Sequence, residues 1–449
     1  MSSPFEERRP FAFRRATKAD HAAVLELLTT AFRLPVPDRF AANQLLDPHF
    51  RYNQALLALL DGRPVSHLVV HRWRLRLLGG PAVGVPFGGI GEVATHPDVR
   101  RRGYSSELLR RSIGLMARFR QPLAALGTPI PDFYARLGWE SIGRADYALS
   151  FPAFAAAPGD ADTGGHPADA EREDLAVRPF RPEDLDACVA LYRRFCARRP
   201  RSLVRTRAYW GGQLEKTGLV TSAFDLPPSR ALVAVARPGG GVMGYSRFRD
   251  LAPWGGAGLG VDEACYVDPA AMRALWPHLV GAARDAARDG RAAIAARMPD
   301  DHELARLMLD AGGRRDVERG QMFRLNDLAL LFRHLRGPIE RRLRRAGSPA
   351  LRLHVAAPYR WLPADPGGGA ALLSWDGARL TIEAAAPKRD TGAVRCPFDS
   401  TAWLRLLLGE STLAALLAEY QGPDEVGRFL GAGLPGDWAA PIYWRTDSF

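Results

Sequence analysis

The sequence predicts an α/β and α+β protein of three units: two tandem copies of one mixed α/β fold, the second degenerate, then a separate α+β unit. Three observations carry this. The chain has 449 residues, too many for one ordinary domain. A strand–turn–helix opening occurs twice. Between the two openings lies "AAPGDADTGGHPADAEREDLA", rich in Gly, Pro, Ala and Asp and without sustained periodicity, which reads as a linker. The expected boundaries are 1–155, a linker at 156–176, 177–315, and 316–449.

The first opening, residues 12–33, reads "AFRRATKADHAAVLELLTTAFR"; its echo, residues 176–197, reads "AVRPFRPEDLDACVALYRRFCA". Each holds a short strand, a turn with Asp20 or Asp184 at the helix start, and an amphipathic helix. The apolar stripes run through Val24, Leu25, Leu27, Leu28 and Phe32, and through Leu185, Val189, Leu191, Tyr192 and Phe195, near helical spacing. A hairpin follows each, turning at Asp61-Gly62 in the first and at Gly239-Gly240-Gly241 in the second. Next comes "LLGGPAVGVPFGGIG", read as a glycine-rich bend, and a short strand, Glu92 to Thr95. In the last third, strand-like stretches alternate with the apolar run "TAWLRLLLGESTLAALLAEY", read as a core helix.

Hydrophobic content of 47% and charged content of 24% are those of a globular protein. The net charge of +12 would by itself favour a polyanion. Only three of the 61 basic residues are lysine (Lys18, Lys216 and Lys388); the rest are arginines scattered along an Ala-, Gly- and Pro-rich chain, the signature of GC-rich codons rather than of a nucleic-acid patch. No nucleic-acid partner is expected. Cys188 and Cys196 lie about 12 Å apart along a helix, too far for a disulfide, and no Cys/His spacing points to a metal. The N-terminus lacks the apolar segment of a signal peptide, and no stretch approaches a membrane span, so the expected location is cytoplasmic.

The chemistry concentrates in "EVATHPDVRRRGYSSELLRR". A strand, a basic loop with one glycine and a helix start are the parts of a phosphate cradle. Loop N–H groups point at oxygens, the helix N-terminus adds roughly half a positive charge, and Gly103 lets the backbone come close. Neither a P-loop lysine nor the dinucleotide glycine pattern is present. The run resembles the Gln/Arg-x-x-Gly-x-Gly/Ala signature of GNAT acyltransferases, which holds the pyrophosphate of coenzyme A. Arg100 takes its first position and Gly103 its fourth; Ser105 replaces the usual Gly or Ala. The resemblance implies that Val93, Ala94 and Thr95 face the cofactor and that Arg100, Arg101, Arg102, Gly103, Tyr104, Ser105 and Ser106 form the cradle. It also implies that Thr128, Pro129 and Ile130 flank the pantetheine. In "PDFYARLGWES", Tyr134 matches the family's proton donor to the leaving thiolate, and Glu92 its strand glutamate base.

The second copy lacks both signatures, in "GVDEACYVD" and after it, and is read as a copy that binds no cofactor. A catalytic GNAT unit, a degenerate one and a third unit like sterol carrier protein resemble the enhanced-intracellular-survival (Eis) acetyltransferases. That likeness implies acetyl-CoA as co-substrate, a primary amine acceptor such as an aminoglycoside or a lysine-like amine, and a hexamer. In that family a terminal phenylalanine carboxylate acts as base, which assigns the role to Phe449, in competition with Glu92. Ser448 stands where an acidic neighbour would help hold a polycation. The alternative reading is a lipid or hydrophobic-ligand binding protein using the third unit.

Overall fold

The computed structural model describes residues 11–33, 38–77, 84–153, 174–220, 222–359, 368–385, 392–434 and 440–441. The first sheet holds β1 (Phe11–Arg15), β2 (Ala55–Leu60), β3 (Arg63–Arg76), β4 (Gly84–Thr95), β5 (Leu123–Gly127) and β6 (Glu140–Ser141). The second holds β7 (Arg144–Pro152), β8 (Leu175–Pro179), β9 (Arg230–Ala236), β10 (Val242–Asp250), β11 (Leu259–Tyr266), β12 (Arg291–Arg297) and β13 (Arg314–Glu318). β14 (Gln321–Leu325) returns to the first, giving the orders β1-β2-β3-β4-β5-β14-β6 and β13-β7-β12-β11-β10-β9-β8.

Both copies start alike. Arg14 and Asp20 form a two-pronged ion pair at 2.8 and 2.7 Å, and Arg178 and Asp184 repeat it at 2.7 and 2.7 Å. Each carboxylate also accepts a backbone N–H at the entry to its helix, from Thr17 or Arg181, so one side chain ties strand to helix. These helices are α1 (His21–Phe32) and, in the second copy, Leu185–Cys196. The first sheet carries α1 and α2 (Arg39–Leu45) on one face, α3 (Tyr104–Arg118) and α4 (Pro131–Ala135) on the other. The second packs on α5 (the helix Leu185–Cys196), α6 (Arg207–Lys216), α7 (Pro269–Asp285) and α8 (Glu303–Asp310). The Asp61-Gly62 turn forms as expected, with φ of 52° and 76°, the left-handed pair that a two-residue hairpin requires.

Two features depart from the sequence reading. The copies exchange strands: β7 pairs with β12 of the second sheet, and β14 takes the matching place beside β5 in the first. Residues 144–152 and 321–325 thus complete sheets on the far side of the boundaries expected at 155 and 316. The glycine-rich "bend" is also largely strand, since β4 runs unbroken from Gly84 to Thr95. At Gly88 a Cβ would lie 2.6 Å from Met116 Sδ, so this glycine admits α3 onto the sheet rather than turning the chain.

The last unit has a sheet of β15 (Leu351–Ala356), β16 (Ala370–Trp375), β17 (Leu380–Ala385) and β18 (Val394–Arg395) in the order β17-β16-β15-β18. It packs with α9 (Leu328–Arg345), α10 (Ser400–Leu407), α11 (Leu413–Tyr420) and α12 (Asp424–Gly433). Its core is continuous with the first sheet: Phe87, Leu123 and Phe323 join Phe332, Phe398 and Trp403 in one cluster. The apolar run around Trp403 is core helix, as expected. All four cysteines are buried thiols.

Candidate active site

The site begins with a bulge in β4. Val69 pairs with Gly91 and His67 with Ala94, so Glu92 and Val93 together face the single residue Leu68. This bulge puts Glu92 at φ 55°, a left-handed conformation uncommon outside glycine. The parallel pairing of β4 with β5 ends at Gly89–Ala125, and beyond it the strands diverge. Between them opens a cleft of about 590 Å³, walled by Val93, Ala94 and Thr95, by Val99 through Ser106, by Ile130, Phe133 and Tyr134, and by Ala31 and Phe32 of α1.

The basic loop shapes one end of this cleft. Arg101 (φ 65°) and Gly103 (φ 83°) are both left-handed, bending the chain into a concave turn that leads into α3. Gly103 is the N-cap and offers no side chain; the helix's first backbone bond is Glu107 N–H to the Gly103 carbonyl, 3.0 Å. The N–H groups of the first turn therefore have no intrahelical acceptors, the arrangement that favours an anion at a helix start. Ser105, the departure from the signature, stands 2.6 Å from the Thr95 hydroxyl, which ties the cradle to β4. The Arg100 guanidinium donates to the carbonyls of Thr95 and Ala31, fixing the loop to the end of α1. Its side chain holds the loop. His96 caps its own turn by accepting from Asp98 N–H.

Tyr134 sits on α4 at the opposite wall, 7% exposed, with Phe133 edge-on to it at 4.9 Å between ring centroids. Burial pushes its phenol up to about 12, against a smaller opposing effect of a hydrogen bond with Thr128, so the hydroxyl stays protonated through the neutral range. Thr128 Oγ1 also accepts the Ile130 N–H, 3.0 Å, which turns the chain. Ile130 lines the cleft, whereas Pro129, expected beside it, is exposed and lies outside the wall.

Glu92 does not line this cleft. Its side chain is buried toward α2, where Gln44 Nε2 donates to Oε2 at 2.5 Å and Oε1 meets no hydrogen-bond partner among the described residues. Desolvation raises its pKa, opposed by the charges of His71, Lys216 and Arg39 and by the Gln44 bond. His67 Nδ1 lies 3.0 Å from the Glu92 carbonyl oxygen; burial lowers this imidazole to about 4, so it is neutral and Nδ1 carries the donated hydrogen. The second copy closes this side. A Cβ on Gly212 of α6 would lie 1.9 Å from the Leu46 carbonyl oxygen, so only glycine lets α6 dock against the end of α2.

The structure thus gathers Val93, Ala94, Thr95, Arg100 to Ser106, Ile130 and Tyr134 around one cleft and sets Glu92 behind it. Phe449 lies outside the described residues. Gln44 and Lys216, which act on Glu92, escaped the sequence reading because they come from two separate segments without motif spacing. The one signal was Lys216, a rare lysine in an arginine-dominated chain. Among the described residues no group of His, Cys, Asp and Glu could hold a metal, and no helix is long and apolar enough to cross a membrane.

Comparison with known proteins bears on the fold. Residues 12–142 match the acetyltransferase (GNAT) domain family. An uncharacterized N-acetyltransferase of Streptomyces coelicolor is 32% identical over 213 residues, which cover 46% of this chain and 48% of that protein. The chain spans about half the length of the curated relatives it matches. A probable N-acyltransferase of unknown function from Enterococcus faecalis superposes with a TM-score of 0.68 at 17% identity, covering 97% of this chain and 100% of that one. Eis1 from Mycobacterium abscessus superposes at 0.59 and 19% identity, covering 98% and 100%. At such identities the likeness is one of fold. The fold is that of the GNAT acyltransferases, extended by a further α+β region, with the family match confined to residues 12–142.

Proposed function

We propose that the protein is an acyl-CoA-dependent N-acyltransferase that moves acetyl from acetyl-CoA to a primary amine. One observation carries the reading: the anion cradle at the start of α3 and the protonated Tyr134 share a single cleft at the point where β4 and β5 part. The cradle residues Arg101 to Ser106 suit a pyrophosphate, and the narrow gap between the strands suits a pantetheine arm. The amine attacks the thioester carbonyl directly. Its nitrogen forms the new bond to carbon as the carbon–sulfur bond breaks, and a β4 backbone N–H polarises the carbonyl oxygen.

Tyr134 stabilises the departing sulfur. A free thiol titrates near about 8.5, well below the buried phenol, so complete proton transfer from Tyr134 runs uphill by about 1.4 kcal/mol per unit of difference. Its contribution is a hydrogen bond to the developing thiolate. Two carboxylates compete to take the amine's proton: Glu92, which burial makes a stronger base than an exposed carboxylate but which sits behind the cleft, and the Phe449 carboxylate. The acceptor class is a small-molecule or lysine-like primary amine. The reading is tested by titrating acetyl-CoA into the protein calorimetrically and following CoA release over an amine panel; no binding and no release would overturn it.

A further inference from the structure

A second cavity, of about 420 Å³, lies on the seam between the two copies. It forms because the outer edge of β3 is covered in two pieces. β2 pairs with that edge only as far as Ala55–Val69, and the second copy takes it up again where Val204 N–H meets the Arg74 carbonyl. The cavity fills the gap, around Arg72 and Trp73. It shares no lining residue with the cleft. Pro86 of β4 lines the cavity and Val93 the cleft, roughly 23 Å apart along the strand.

The charge of this wall is one-sided. Arg51, Arg72 and Arg74 converge on it, and no carboxylate lines it among the described residues. Each guanidinium is steadied by an uncharged partner. Arg51 Nη1 donates to the carbonyls of Pro48 and Phe50 at 3.0 and 2.6 Å, Arg74 Nη2 donates to the Gly84 carbonyl, and Arg72 lies 4.7 Å from the centre of the Phe119 ring. The other nitrogens of each fork keep donors to offer. Arg205 also lines the cavity, but Glu263 neutralises it. The start of α6 adds to the same sign: its N-cap Thr206 and first-turn Tyr209 are both in the wall. Like charges held around a concavity focus a potential that draws in an anion. The remaining wall is apolar and ring-bearing, formed by Trp73, Pro86 and Phe119, with Tyr209 edge-on to Trp73 at 6.0 Å.

We propose that this cavity binds a small organic anion, a phosphate or carboxylate on a flat apolar body, as a ligand separate from both the acyl donor and the amine. The oxygens seat among Arg51, Arg72 and Arg74, and the body lies against Trp73 and Pro86. An inorganic ion uses only the first set of contacts and a neutral ring only the second. His49 of the first copy and Thr206 of the second meet at this wall, 3.2 Å from Nε2 to the hydroxyl, so an occupant touches both copies and stabilises their seam. The inference does not depend on the acyltransferase reading.

The test titrates phenyl phosphate and phthalate into the protein by calorimetry and thermal shift, against inorganic phosphate and benzyl alcohol. At least one organic anion is expected to bind roughly 10- to 100-fold more tightly than either control, the weight of a charge-assisted hydrogen bond, and to raise Tm. Which of the two wins identifies the anion as phosphoester or carboxylate. The double variant Arg72→Gln/Arg74→Gln is expected to lose this binding and keep its affinity for acetyl-CoA; both side chains are exposed, so the fold should tolerate the change. Arg51→Gln, from a different segment, should weaken binding roughly tenfold. Gly103→Glu, at the cradle, should leave it intact. Affinities no better than those of inorganic phosphate and benzyl alcohol would overturn the proposal. So would binding that survives the double variant and disappears in Gly103→Glu, because the anion would then sit in the cradle. Acetyl-CoA titration reads the cradle separately, so a failure there falls on the acyltransferase reading alone.

Discussion

The two copies solve the same strand geometry in opposite ways. In each, a strand pairs in parallel with the next for three residues, Phe87–Gly89 with Leu123–Ala125 and Leu259–Val261 with Ile294–Ala296, and the register of its other edge then breaks. Each break sits beside a buried glutamate. Glu92 keeps one oxygen without a partner and a raised pKa. Glu263 is gripped by both Arg205 nitrogens and by Tyr245; burial alone would raise it, but the charges of Arg205 and Arg247 and these bonds hold it below the usual range. The helix that follows differs in the same sense. Gly103 gives α3 an empty N-terminus, whereas Asp268 caps α7 with its own carboxylate, 2.8 Å from Ala270 N–H. The second copy fills with side chains what the first leaves open. What separates the two copies here is how each glutamate and each helix start is satisfied.

Gly103→Glu breaks this contrast most sharply. It imposes a left-handed φ on a residue with a Cβ and sets a carboxylate at the helix start, as Asp268 does in the second copy. Acetyl-CoA affinity, read by calorimetry, should fall by about 100-fold or more, with the fold intact by circular dichroism; retained affinity would place the cradle elsewhere. Tyr134→Phe, which removes a hydrogen-bond donor to the departing sulfur, is expected to cut turnover by roughly 10²- to 10³-fold while acetyl-CoA still binds. Unchanged single-turnover rates would remove Tyr134 from the chemistry.

Much of the open half was legible in the sequence, and for a physical reason. The cradle is a local object: strand, glycine and helix start are consecutive, and Tyr134 follows on the next short helix. The closed half was not legible. The Arg205–Glu263 pair joins residues far apart in the chain, and Gln44 reaches Glu92 from a short helix packed between α1, the first sheet and α6. The strand exchange was hidden for the same reason: β7 and β14 read as strands wherever they pair, and nothing in "RADYALSFP" or "QMFRL" names the sheet that each completes. "GVPFGGIG" misled in the other direction, because glycines spent on admitting Met116 look like glycines spent on a bend.

Neutralising the two glutamates separates the copies further. Glu263→Gln leaves Arg205 buried without its counter-charge and should cost about 3–5 kcal/mol in urea unfolding. That contribution belongs to a lowered pKa, so it is present above the ordinary glutamate range and fades as the pH falls through the folded value. Glu92→Gln should have the opposite profile. A carboxyl raised by burial costs stability as the pH climbs past its ordinary value, so the variant gains relative to the parent at neutral pH and matches it near pH 4. Turnover should drop in Glu92→Gln, and the acid limb of its pH profile should disappear. Equal stability losses in the two variants would mean that the two sites are not the contrast drawn above.

The smallest effect lies at the start of α7. Asp268→Gly removes a cap carboxylate and should cost at most about 1 kcal/mol, since glycine is itself a tolerated N-cap. It also empties the helix end, which makes it the converse of Gly103→Glu. Anion affinity should still not appear there. Asp268 is followed by Pro269, whose nitrogen carries no hydrogen, and α7 lacks the two left-handed residues that curve the loop before α3 around an anion. Measurable acetyl-CoA binding at a second site in this variant would show that a bare helix end is sufficient; its absence would show that the curvature set by Arg101 and Gly103 is what makes the first copy's helix end a cradle.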